Sequence, residues 1–412
     1  MRFTFKHTIY ASYLGYITQA IVVNLAPLLF ATFQSQFGIS LERIGLIISV
    51  NFGVQILVDL AAARFIDKTG YRIPVVAAHV FAATGLALMG VLPFVMNNAY
   101  AGLLIATVLM AVGGGLIEVL ISPIVEASPG EEKAAAMSLL HSFYSWGQVG
   151  VVLLSTLYFV TAGHDAWRFL PIVWAVVPVF NIYLFSRVPL NVLAGEGGGR
   201  APLGKLFSSG VFWVLLILMV SSGAAEQAMA QWSSLFAEIG LNVDKTVGDL
   251  LGPCAFAALM GVARLFYGVK GSRINLSAAL LLSAGLCIFS YLTAVFAPWP
   301  LLSLVGCALC GLSVGIMWPG TLSLSARSYP QGGTAMFAIL ALAGDVGCSS
   351  GPGIVGWISS AVENGALGVI GGLFKTGEFT QAGLKSGLLF AIVFPALMLL
   401  GVIYLKRRSE RL

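Results

Sequence analysis

Charge is scarce in this sequence. Only 9% of its 412 residues are Asp, Glu, Lys or Arg, while 58% are hydrophobic and the mean hydropathy is +0.93. A soluble domain carries about 25% charged residues, so a water-facing globule is excluded and the chain's solvent is mostly lipid. The net charge of +5 comes from scattered residues that form no basic patch or helix, so nucleic acid is not an expected partner. The four histidines (His7, His79, His141, His164) are dispersed, with no H-E-x-x-H spacing and no serine elbow. That removes the usual constellations of a membrane enzyme, and no cofactor is expected. The five cysteines all fall in apolar runs, which argues against a disulfide framework; Cys307 and Cys310 read as small packing residues.

What is abundant is the long apolar run. Spans are expected near 5–34, 42–63, 73–96, 101–127, 135–161, 166–187, 207–238, 247–268, 275–297, 299–325, 333–361 and 385–406. Each has roughly the 20 residues that cross a hydrocarbon core. With the N-terminus inside, 17 Lys and Arg face the cytoplasm and 5 (Arg43, Arg168, Lys245, Lys375, Lys385) face out. That asymmetry follows the positive-inside rule and places both termini in the cytoplasm. Residues 362–384 read as an external loop. The first span is not followed by a small-residue cleavage site and is read as retained, and the short loops favour a bacterial inner membrane.

The chain also repeats itself. The Gly-rich stretch 189–206 is the one extended polar run in its middle, and reads as a cytoplasmic linker between six-helix halves at 1–188 and 207–412. A shift of about 200 positions aligns Ala136-Met137 with Ala335-Met336 and Pro123 with Pro319. The loop Asp67-Lys68-Thr69-Gly70-Tyr71-Arg72, between spans two and three, resembles the cytoplasmic signature of the major facilitator superfamily, with Ala63 where a glycine is usual. Within it, Gly113–Pro123 with Glu118, His141–Gly147, and Ala225-Glu226 through Trp232 are similar to stretches of the fucose–galactose–glucose:proton symporter branch. The chain departs from that branch at Ala26, which stands where the branch carries a coupling aspartate. The resemblance implies an all-α fold of twelve transmembrane helices in two pseudo-symmetric bundles, acting as a monomer on a small solute and a coupling ion.

Carboxylates inside apolar spans cost about 2.5–3.5 kcal/mol each on insertion scales, and so mark ion or substrate paths. Five stand out: Asp59, Glu118, Glu126, Glu226 and Asp345. Glu118 lies mid-span with no Lys or Arg within a turn, and is read as proton-coupling, with His141 on the next span as a candidate partner; a hydrogen-bonded packing role is the alternative. Glu226, Gln227, Gln231 and Trp232 combine directional polar groups with a flat apolar face, the combination a sugar needs. Asn51 and Gln55 share a stripe with Asp59 that must face the bundle interior. Asn24, Tyr144, Trp318 and Asp345 complete the expected substrate contacts, and Tyr10, Tyr13, Tyr16 and Gln19 are further cavity candidates. Asp59, Arg64, Asp67, Gly70, Arg72, Glu126 and Arg264 are expected at a cytoplasmic gate. The leading expectation is a secondary transporter for a monosaccharide or polyol coupled to a proton or another cation. The rival is an exporter of drugs or metabolites on the same fold.

Overall fold

The computed structural model describes residues 3–129, 133–191, 206–270, 274–329, 333–367, 372–374 and 378–409, without the side chains of 62–69, 133–138, 141, 333–335 and 409. The expected linker lies mostly outside the described residues. Among them are twelve helices long and apolar enough to cross a membrane. They are α1 (Phe5–Phe37), α2 (Leu41–Ala61, its helix continuing to Thr69), α3 (Arg72–Met89), α4 (Ala99–Glu126), α5 (Ser142–Ala162) and α6 (His164–Arg187). The second half supplies α7 (Gly210–Gly240), α8 (Lys245–Lys270), α9 (Leu276–Phe296), α10 (Pro300–Ser328), α11 (Met336–Glu363) and α12 (Phe379–Arg408).

The chain divides into two units: Met1–Ile39 with Val50–Glu196, and Ser40–Ser49 with Gly197–Leu412. In the first, α1 packs on α4, α5 and α6, and α3 packs on α4 and α6. In the second, the same pattern recurs six helices later: α7 packs on α10, α11 and α12, and α9 on α10 and α12. Small residues set these crossings, since without a hydrophobic drive between helices close backbone approach supplies the contact. A Cβ on Gly147 of α5 would lie 3.0 Å from the Ala20 Cβ of α1. Gly347 of α11, 200 positions on, lies more tightly still against the Val220 carbonyl of α7.

Local chemistry fixes the turns. Gly70, in the loop between α2 and α3, has φ of 68°, a left-handed value that favours glycine. Arg72 follows it, and its guanidinium donates to the carbonyls of Phe185 (2.9 Å) and Val188 (2.8 Å) at the end of α6. These are the acceptors a helix C-terminus leaves without intrahelical donors.

Two boundaries differ most from expectation: α3 ends at Met89, short of the expected 96, with a separate short helix Leu92–Val95 after it, and α12 begins early. The helix α12 starts at Phe379, six residues before the expected 385, so the 362–384 stretch is part helix. Its first turns bury Ala382, Gly383 and Leu384, with Gly383 against the Ser359 carbonyl of α11, and Thr380 donates to Glu363 at 2.6 Å. Small residues flush with α11 extend the helix where hydropathy alone falls off.

Candidate functional site

The polar residues of the spans gather into two clusters, one in each unit. In the first, an amide chain crosses from α2 to α1 and ends on α4. The Gln55 amide donates to Asn51 Oδ1 (2.6 Å), and Asn51 donates to the Val22 carbonyl (3.5 Å). Gln19 Nε2 donates both to Gln55 Oε1 (2.8 Å) and to Glu118 Oε2 (3.3 Å). The glycines of α4 make room for this chain: a Cβ on Gly114 would meet Gln19 Oε1 at 2.8 Å and Gln55 Oε1 at 3.4 Å. Gly115 lies against Gln55 and Val58 in the same way. Gln19, Asn51 and Gln55 are buried, yet Glu118, one turn beyond Gly114, is exposed. The helix stripe therefore opens at the carboxylate instead of closing over it.

Asp59 sits one turn beyond Gln55 on α2, half-buried and within electrostatic reach of Glu118, with its Oδ1 buried and unpartnered. Among the described residues no cationic side chain pairs with either carboxylate. Nearby, the Tyr16 hydroxyl and Ser122 hydroxyl lie 3.0 Å apart, and Tyr13 stacks on Phe143 with ring centroids 4.4 Å apart. Asn24 turns back to the Ala20 carbonyl (3.0 Å), and Tyr144 is half-buried. The side chains of His141, Arg64 and Asp67 lie outside the described residues, so the Glu118–His141 pairing does too.

The second cluster has its own cation. Arg264 Nη2 donates to both oxygens of Glu226, at 3.2 and 3.0 Å, so the structure brings together a residue expected in the substrate site and one expected at the gate. Gln227 reaches Glu226 at 3.5 Å, and Gln231 donates to Gln227 at 3.1 Å. Trp232 is fully buried and its indole N–H donates to the Pro352 carbonyl (3.0 Å), which makes it a brace between α7 and α11. The far edge of the Trp318 indole lies against Gly344, next to half-buried Asp345. Glu126 is half-buried in the last turn of α4.

Three groupings went unanticipated. Buried His79 is held between the Val75 carbonyl (2.7 Å, at Nδ1) and the Asn181 amide (2.8 Å, at Nε2). Asn181 also donates to the Ala11 carbonyl (3.0 Å), so one imidazole ties α1, α3 and α6. Lys245 pairs with Asp249 (3.2 Å) and Glu238 (3.4 Å), while Ser234 donates to Asp249 (2.5 Å). Lys245 stands in the loop expected on the outer side, and its 8% exposure makes it a buried structural cation there. Cys287 and Cys310 approach to 3.9 Å between their sulfurs as free thiols. Among the described residues no group of His, Cys, Asp and Glu could hold a metal ion.

Comparison with known proteins agrees with this architecture. The family model described as Major Facilitator Superfamily matches residues 12–352. Membrane protein MosC of Rhizobium meliloti is 28% identical over 337 residues, covering 77% of this chain and 79% of MosC. A bacterial homolog of the human lysosomal transporter Spinster, solved inward-facing and occupied, superposes with a TM-score of 0.78 at 14% identity, covering 98% of this chain and 97% of that one. The E. coli fucose:proton symporter FucP superposes with a TM-score of 0.61 at 17% identity, covering 95% and 98%. At these identities the solved structures carry the fold alone.

Proposed function

The chain belongs to the Major Facilitator Superfamily and is a membrane transporter, not an enzyme, and on that premise we propose that it moves a small polar solute, a monosaccharide or polyol, coupled to a proton or another cation. The observation that carries this is the continuous line Asn51–Gln55–Gln19–Glu118, which presents amides and a carboxylate within the spans of an apolar bundle. Hydroxyl-rich solutes need such directional partners, whereas a lipophilic one is better met by aromatic and methionine surface. Glu226, Gln227 and Gln231 offer a matching set in the second unit. FucP supplies a precedent on this fold for a sugar moving with a proton.

In this reading Glu118, with His141, exchanges the coupling cation, because a carboxylate in a low-dielectric span changes the energy of its surroundings most when its charge is cancelled. The working unit is a monomer of two six-helix bundles, 1–188 and 207–412, joined by 189–206, in a bacterial inner membrane with both termini cytoplasmic. The test is a thermal-shift panel of sugars, polyols, amino acids and lipophilic cations on purified protein at pH 5.5 and 7.5. A ligand that binds the native state alone raises the melting temperature by mass action. A shift with a monosaccharide or polyol is expected; shifts with lipophilic cations alone would overturn the reading in favour of an exporter.

A further inference from the structure

The first unit's cluster holds more acceptors than donors. Both hydrogens of Gln19 Nε2 are committed, to Gln55 and to Glu118, while Gln19 Oε1 is buried with no partner in a side chain only 6% exposed. Asp59 Oδ1 is buried and unpartnered as well, and among the described residues the Glu118 carboxylate accepts from Gln19 alone. These three open acceptors come from α1, α2 and α4, and they lie on connected faces. Gly114 and Glu118 are four apart on α4, as Gln55 and Asp59 are on α2, and the Gly114 backbone lies against Gln19 Oε1. An orphaned buried acceptor costs about 1–3 kcal/mol, and two carboxylates that no cation among the described residues pairs with add repulsion in a low-dielectric setting. A neutral hydroxyl would meet one acceptor and leave both charges standing. An ammonium brings one positive charge and three N–H donors for three acceptors.

We propose that Gln19, Asp59 and Glu118 form a subsite for the protonated amine of the solute, so that the transported class is an amine-bearing sugar or polyol. This rests on the solute-carrier reading above and sharpens it. The solute's own cation then offsets one of the two carboxylate charges, as a bound proton otherwise would.

The experiment is isothermal titration of purified full-length protein at pH 7.0 with glucose, glucosamine, N-acetylglucosamine, ethanolamine and sodium chloride. Wild type, Glu118→Gln and Asp59→Asn are compared. Glucosamine is expected to bind at least about tenfold tighter than glucose or N-acetylglucosamine, with that preference falling below about threefold in each variant. Equal binding of glucose and glucosamine would overturn the amine subsite and keep the sugar reading. Ethanolamine binding with no response to any sugar would keep the subsite and remove the sugar reading. An amine preference that survives both substitutions would overturn the assignment to these residues. Sodium chloride binding that is lost in both variants would give the acceptors to an inorganic ion and overturn the proposal. Glu118 is exposed and its replacement by Gln keeps the shape, so that variant reports even where Asp59→Asn fails to fold.

Discussion

Two clusters built from the same residue types differ in how their charge is balanced. In the second unit Glu226 is clamped by Arg264 through both oxygens, and Gln227 and Gln231 follow it in a closed chain. In the first, no cationic side chain among the described residues pairs with Asp59 or Glu118, and the amide chain ends on open acceptors. One unit carries its counter-charge in the fold; on the proposed reading the other leaves that place for a ligand. Stability and function should therefore respond in opposite ways to neutralising the two carboxylates.

The largest expected effect on stability is in the second unit. Arg264→Met leaves Glu226, whose side chain is 8% exposed, without its partner. Breaking a buried pair costs about 3–5 kcal/mol, and because the Arg264 side chain is 24% exposed the lower end applies. A fall in melting temperature that Glu226→Gln in the same chain largely restores would sharpen the contrast; no fall would break it.

His79→Ala comes next. It opens a cavity where α1, α3 and α6 meet and strips the Asn181 amide of one acceptor, at about 1–3 kcal/mol. Thermal unfolding reads the loss, and binding by the remaining folded fraction should be unchanged, since His79 touches neither open carboxylate. Gln55→Leu should cost about 1 kcal/mol by orphaning Asn51 and Gln19 at once, partly offset by the gain in apolar burial. Glu118→Gln should be the mildest for folding, within about 0.5 kcal/mol, because the side chain is exposed and an amide still reaches Gln19. A large loss there would mean the carboxylate is structural.

The two clusters were unequally legible in the sequence. Hydropathy runs report where the chain meets lipid, so the span count and the repeated halves were readable, as was Gly70, whose left-handed φ matches the loop signature. The residue types of both clusters were readable too, because polar side chains in lipid stand out one by one. Their partners were not. Arg264 follows Glu226 by 38 positions, and Arg72 reaches carbonyls 113 and 116 positions on, so a cytoplasmic-end assignment says nothing of whom they bind. Glu118 reads as buried from its neighbours in sequence; only the packing of Gly114 and Gly115 against α1 and α2 reveals the face that stays open. Lys245 reads as a loop charge because Glu238 and Asp249 stand at the facing ends of the two flanking spans, and spacing alone does not show that the three meet.

The most direct test of the central claim is uptake into proteoliposomes under an imposed proton gradient, using radiolabelled glucosamine and glucose, with wild type beside Glu118→Gln. The account predicts gradient-dependent accumulation by the wild type, and in the variant only equilibration that no longer responds to the gradient. Full gradient-driven accumulation by Glu118→Gln would contradict it.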